Sequence, residues 1–112
     1  VKWYKIFRDE TEANMAIPEG SMRVIRVVDT KICLAHTQSG YYAIQNTCPH
    51  LGDSLANGHL NHLDEITCPW HAYRFSLKNG REVMQRCSDA KTYSVKVNQE
   101  GMFLGISETN NP

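Results

Sequence analysis

The stretch Arg23-Val24-Ile25-Arg26-Val27-Val28-Asp29-Thr30-Lys31-Ile32-Cys33-Leu34-Ala35-His36-Thr37-Gln38-Ser39-Gly40-Tyr41-Tyr42-Ala43-Ile44-Gln45 decides the fold class. It holds three runs rich in β-branched and aromatic residues, Arg23–Val28, Lys31–His36 and Tyr41–Gln45, separated by Asp29-Thr30 and Thr37–Gly40. Such residues suit a pleated surface, and connections this short leave neighbouring runs antiparallel.

The same grammar extends outward. Trp3–Phe7 precedes the stretch, and Glu65–Thr67, Tyr73–Leu77, Tyr93–Asn98 and Met102–Ile106 follow it as further strands. Pro18-Glu19-Gly20, Lys78-Asn79-Gly80 and Asn98–Gly101 supply turns. Asn79-Gly80 is the strongest hairpin signal, because both residues accept positive φ. Residues 9–16 read as a helical turn with acids at its start. Short strands at near-regular spacing predict an all-β, antiparallel sandwich or barrel. No repeat, low-complexity tract or linker interrupts 112 residues, so a single domain over 1–112 is expected.

Twelve Lys and Arg balance twelve Asp and Glu, so no overall field points to nucleic acid or an anionic membrane. The apolar stretches fall far short of the roughly 20 residues that span a bilayer, and no charged start leads into an apolar run. A soluble, cytoplasmic protein without nucleic-acid or membrane partners is the expectation.

Residues 46–70 stand apart, rich in Cys, His, Pro, Gly and Asn. They read as two loops on a β scaffold, about 46–54 and 66–73, and loops are where function concentrates. Loop one contains Cys48-Pro49-His50-Leu51-Gly52 and loop two contains Cys68-Pro69-Trp70-His71, with 17 residues between His50 and Cys68. Four cysteines also permit two disulfides. The histidines beside two of them favour metal. In a His-ligated [2Fe–2S] centre two cysteines hold one iron and two histidines the other, so a C-x-H loop facing a C-x-x-H loop supplies one ligand per iron from each loop. The prolines restrict the backbone beside each cysteine, and Gly52 permits close approach of the main chain to the cluster sulfides. A tetrahedral zinc site accepts the same four side chains, but zinc fingers usually pair like with like.

With these residues the chain resembles the Rieske ferredoxins, the small electron carriers of bacterial aromatic-ring dioxygenase systems. Pro18-Glu19-Gly20, the strand Gly40–Asn46 and the segment Tyr73–Leu77 with Asn79-Gly80 extend the likeness over nearly the whole chain. The resemblance implies a three-sheet antiparallel β domain of the Rieske iron–sulfur type with both loops at one tip. It implies one [2Fe–2S] cluster on Cys48, His50, Cys68 and His71. It also implies a one-electron carrier rather than an enzyme, relaying electrons from a flavin-dependent reductase to a terminal oxygenase through transient contacts. The alternatives are a small subunit of a larger oxidoreductase such as nitrite reductase, and a zinc-binding interaction module. Leu51, Trp70 and the Gly52-Asp53 corner are the expected docking face.

Two departures from the family pattern stand out. Ala72 replaces the usual glycine after the second histidine, and a frequent proline is missing around Arg86–Ser88. High-potential Rieske proteins add a disulfide between the loops and hydrogen-bond donors after the second histidine. Here Asp53 and Trp70 stand at the disulfide positions, and Tyr73 and Phe75 at the donor positions. Donors to sulfur stabilise the reduced cluster, so a potential near about −150 mV, the bottom of the Rieske range, is expected. His36, His59 and His62 read as surface or hydrogen-bonded histidines, and Cys33 and Cys87 as free thiols.

Overall fold

The computed structural model describes residues 1–107. In chain order the elements are β1 (Lys2–Phe7), α1 (Glu10–Ala16), β2 (Met22–Val27), β3 (Thr30–Thr37) and β4 (Gly40–Gln45). After a 3-10 turn at Leu55–Asn57 come β5 (His59–Leu60), β6 (Glu65–Thr67), β7 (Arg74–Ser76), β8 (Thr92–Asn98) and β9 (Gly101–Ile106). All the pairings among described residues are antiparallel.

The expected three sheets are present as β1-β9-β8, β2-β3-β4 and β5-β6-β7, but the first two are joined. The seam between β4 and β8 consists of Ala43↔Tyr93 and Ile44↔Thr92, which makes a six-stranded sheet ordered β1-β9-β8-β4-β3-β2. The six strands read from the sequence before residue 93 gain one companion, β5, whose two residues pair His59 with Thr67 and Leu60 with Ile66. The turn between β2 and β3 centres on Val28-Asp29, one residue earlier than expected, because Val27 pairs with Thr30. Val28 takes φ 58°, an uncommon conformation for a β-branched side chain.

β3 organises the interior because both of its faces are covered, which accounts for the unbroken buried run Ile32–Ala35. Ile32 and Leu34 pack with Met102, Leu104 and the helical residue Ala13 in one cluster. Cys33 and Ala35 face the other way, into a cluster with Ile44, Leu55, Ile66, Phe75 and the loop residues Cys48 and Cys68. The second core therefore reaches directly to the site. α1 begins where the Asp9 carboxylate accepts the Glu12 N–H at 2.8 Å, and it buries Ala13.

The Asn79-Gly80 turn follows β7 as expected. Gly80 has φ 78°, and a Cβ there would lie 1.8 Å from the Ala90 carbonyl oxygen, so glycine is required twice over. The turn sends residues 81–83 back beside β7, where Ser76 N–H donates to Arg81 and Val83 N–H donates to Arg74.

Candidate metal centre

Loop one is shaped by its own backbone. Thr47 bridges to Ser54, Cys48 N–H donates to the Asp53 carbonyl at 2.8 Å, and Gly52 N–H donates to the Cys48 carbonyl at 2.9 Å. Gly52 has φ 84°, and an added Cβ would meet nothing nearer than Thr47 at 4.0 Å, so its dihedral, not crowding by protein atoms, calls for glycine. Asn46, buried at the loop's root, donates from Nδ2 to Ser54 Oγ at 2.9 Å and accepts the Ala56 N–H at 3.1 Å. The sequence marked Asn46 only as the end of the strand that enters loop one, not as a hydrogen-bonding brace.

Loop two has a different construction. Cys68 N–H donates to the Tyr73 carbonyl at 2.7 Å, and the chain turns through His71 at φ 61° and Ala72 at φ 56°. Two consecutive residues with Cβ atoms occupy the left-handed region, where each costs roughly 1–2 kcal/mol. This explains why the family pattern favours glycine at position 72, and what alanine there stores.

The two loops bring their donors together as like pairs. Cys48 and Cys68 are both buried and lie close enough for Cys48 to disfavour the Cys68 thiolate. Burial pushes the Cys68 thiol up to about 11; the Trp70 backbone opposes that rise, and Cys48 and Asp53 reinforce it. The rings of His50 and His71 lie 5.4 Å apart between centroids. Among the described residues, no three His, Cys, Asp or Glu side chains gather as one metal ion requires. A thiol pair beside an imidazole pair suits a dinuclear cluster better than one tetrahedral ion.

One atom tests that fit. His50 Nδ1 is buried and has no hydrogen-bond partner, alone in this among the side-chain nitrogens and oxygens of the described residues. An orphan of that kind costs about 1–3 kcal/mol, and an iron accepting its lone pair would remove the penalty.

The sequence pattern of a Rieske [2Fe-2S] domain matches residues 2–98. The chain belongs to the Rieske [2Fe–2S] domain family. It is 33% identical over 95 residues to the 3-phenylpropionate/cinnamic acid dioxygenase ferredoxin subunit of Shigella boydii serotype 4 (strain Sb227), spanning 82% of this chain and 87% of that protein. In fold it is similar to the ferredoxin of carbazole 1,9a-dioxygenase from Nocardioides aromaticivorans IC177, with TM-score 0.80, 20% identity, and coverage of 96% of this chain and 100% of that one. A chain in the complex of reduced oxygenase and oxidized ferredoxin in carbazole 1,9a-dioxygenase gives TM-score 0.76 at 23% identity, covering 91% of each. Membership of the Rieske family implies one [2Fe–2S] cluster.

Within this Rieske domain the residues at the donor positions play other parts. Phe75 is fully buried in the core, and Tyr73 lays its ring on His50, centroids 3.9 Å apart and planes 6° apart. Glu82 and Arg86 were missed by sequence reasoning. The Glu82 side chain is fully buried, yet its carboxyl is held down at about 2 by the Arg86 guanidinium, against the opposing effect of desolvation. It accepts the backbone N–H groups of Met84 at 3.1 Å and Arg86 at 2.9 Å. The only sequence signal was an i, i+4 spacing outside any predicted helix.

The remaining residues separate cleanly. Leu51 and Trp70 are each 56% exposed, and Trp70 meets His71 edge-on with centroids 5.8 Å apart. His36 Nδ1 bonds with the Ile17 carbonyl oxygen at 2.7 Å, and His62 is exposed, so neither joins the donor set. Cys33 and Cys87 are unpaired, and burial raises the Cys33 thiol to about 12, making it an inert core residue. Among the described residues no helix is long and apolar enough to cross a membrane.

Proposed function

We propose that this chain is a Rieske ferredoxin, a single domain over 1–112 that takes one electron from a flavin-dependent reductase and delivers it to a terminal oxygenase in the cytoplasm. Cys48 and Cys68 hold one iron of its cluster, and His50 and His71 hold the other. The observation that carries this is a buried thiol pair and an imidazole pair supplied by the same two loops, with His50 Nδ1 lacking any protein partner. When bound, the cluster supplies a one-electron couple.

The chain's own residues do the rest. Cys48 and Cys68 anchor the site in the core, while His71 is exposed and places the imidazole side of the site at the surface. Leu51 and Trp70 flank it as apolar contacts, suited to brief encounters that bury a small area. The names of relatives as ferredoxin subunits, matched over most of their length, favour a carrier with no substrate site of its own over a catalytic subunit. The unpaired Cys33 and Cys87 suit a reducing compartment.

Reductive titration tests the assignment. The protein should accept one electron per chain with bleaching of its visible spectrum, and His62→Ala should behave identically. His71→Ala should lose the spectrum and the electron uptake. An unchanged spectrum in His71→Ala would show that loop two has been misassigned.

A further inference from the structure

The segment that lacks the family's proline carries a cation aimed at the site. The Arg86 guanidinium carbon lies 3.9 Å from the Tyr73 ring centroid, and the His50 ring lies 3.9 Å from that same centroid. Two groups at that height cannot share one face of a phenol ring without interpenetrating, since carbon contacts sit at about 3.5–4.0 Å. Arg86 and His50 therefore take opposite faces, with Tyr73 between them.

The guanidinium is fixed in place. Its Nη2 donates to Glu82 Oε2 at 2.7 Å and its Nε donates to Glu82 Oε1 at 3.1 Å, a two-point grip by a fully buried carboxylate. Both Phe75, across the bridge to Glu82, and Val83, donating to Arg74, tie this segment to the strand that leaves loop two.

We propose that Arg86, held by Glu82 and stacked through Tyr73 onto His50, is a positioning and potential-setting residue of the Rieske centre. This rests on the assignment of His50 as a cluster ligand. Reduction adds one negative charge to the centre, and a cation fixed about 8 Å from the His50 ring stabilises that charge. The stack contributes in the direction of higher potential and partly replaces the donors that Tyr73 and Phe75 do not supply. An aromatic spacer also keeps the cation from competing for the ligand nitrogen.

The test is the reduction potential of the cluster-loaded protein, measured by voltammetry beside its electron paramagnetic resonance spectrum. Arg86→Gln keeps a hydrogen-bonding side chain but removes the charge. It should shift the one-electron equilibrium about tenfold towards the oxidised state, a fall of about 59 mV. Arg86→Lys keeps the charge and should stay within about threefold of the parent. An unaltered potential in Arg86→Gln would overturn the proposal, as would an equal fall in Arg86→Lys, because that would reflect lost packing alone. Absence of a cluster signal from the parent protein would instead overturn the ligand assignment.

Discussion

Loop one closes through its own polar groups and places glycine at its positive φ, whereas loop two turns through His71 and Ala72 in the left-handed region and draws its support from outside. The first is a self-contained bracket, with Asn46 at the root and the Cys48–Asp53 bond across the middle. The second depends on its exit strand, braced by the buried Glu82 and by Arg86 against Tyr73. The difference teaches that equivalent ligand pairs need not be held by equivalent means. A loop that carries strain requires a neighbour rigid enough to impose it.

Removing each brace should rank the two modes of support. Glu82→Ala strips the backbone N–H groups of Arg74, Met84 and Arg86 of their acceptor and releases the partly exposed Arg86 guanidinium, so it should cost about 3 kcal/mol of unfolding free energy. The penalty should shrink in acid. Glu82's carboxyl is lowered from 4.5 to about 2, so its stabilisation is full above about pH 4.5 and fades as pH falls towards 2. Asn46→Ala should cost less, about 2 kcal/mol, by orphaning the Ala56 N–H. Denaturant midpoints at several pH values would check both, and an equal or reversed ranking would break the comparison.

The dihedrals offer a smaller test with opposite signs. Gly52→Ala forces a Cβ into φ 84° and should cost about 1–2 kcal/mol, while Ala72→Gly relieves φ 56° and should gain about 1 kcal/mol. Thermal melts of the two variants sharpen the contrast. A loss in both would mean that loop two is not strained at Ala72.

How far the sequence could be read follows from the range of the interactions involved. The strands around residues 23–45 and the four donors were legible because alternation, turn chemistry and donor type are local properties. β5 was not, since two residues show no period, and it exists only because β6 offers an edge. The joining of two sheets rests on the two pairs between β4 and β8, which no local pattern announces. Within the site, Ala72 was visible as a departure, but its meaning required a φ value. Glu82 reads as an ordinary surface acid. Only the packing of residues 81–86 against β7 turns it into a buried anion with a function in the site's support.

The central claim is that two thiols and two imidazoles from these unlike loops share one dinuclear centre. Iron and acid-labile sulfide analysis of the purified protein, combined with electron paramagnetic resonance of the reduced form, tests it most directly. Two irons and two sulfides per chain, with the rhombic signal of a His-ligated [2Fe–2S] cluster, are expected. One zinc with no labile sulfide would contradict it.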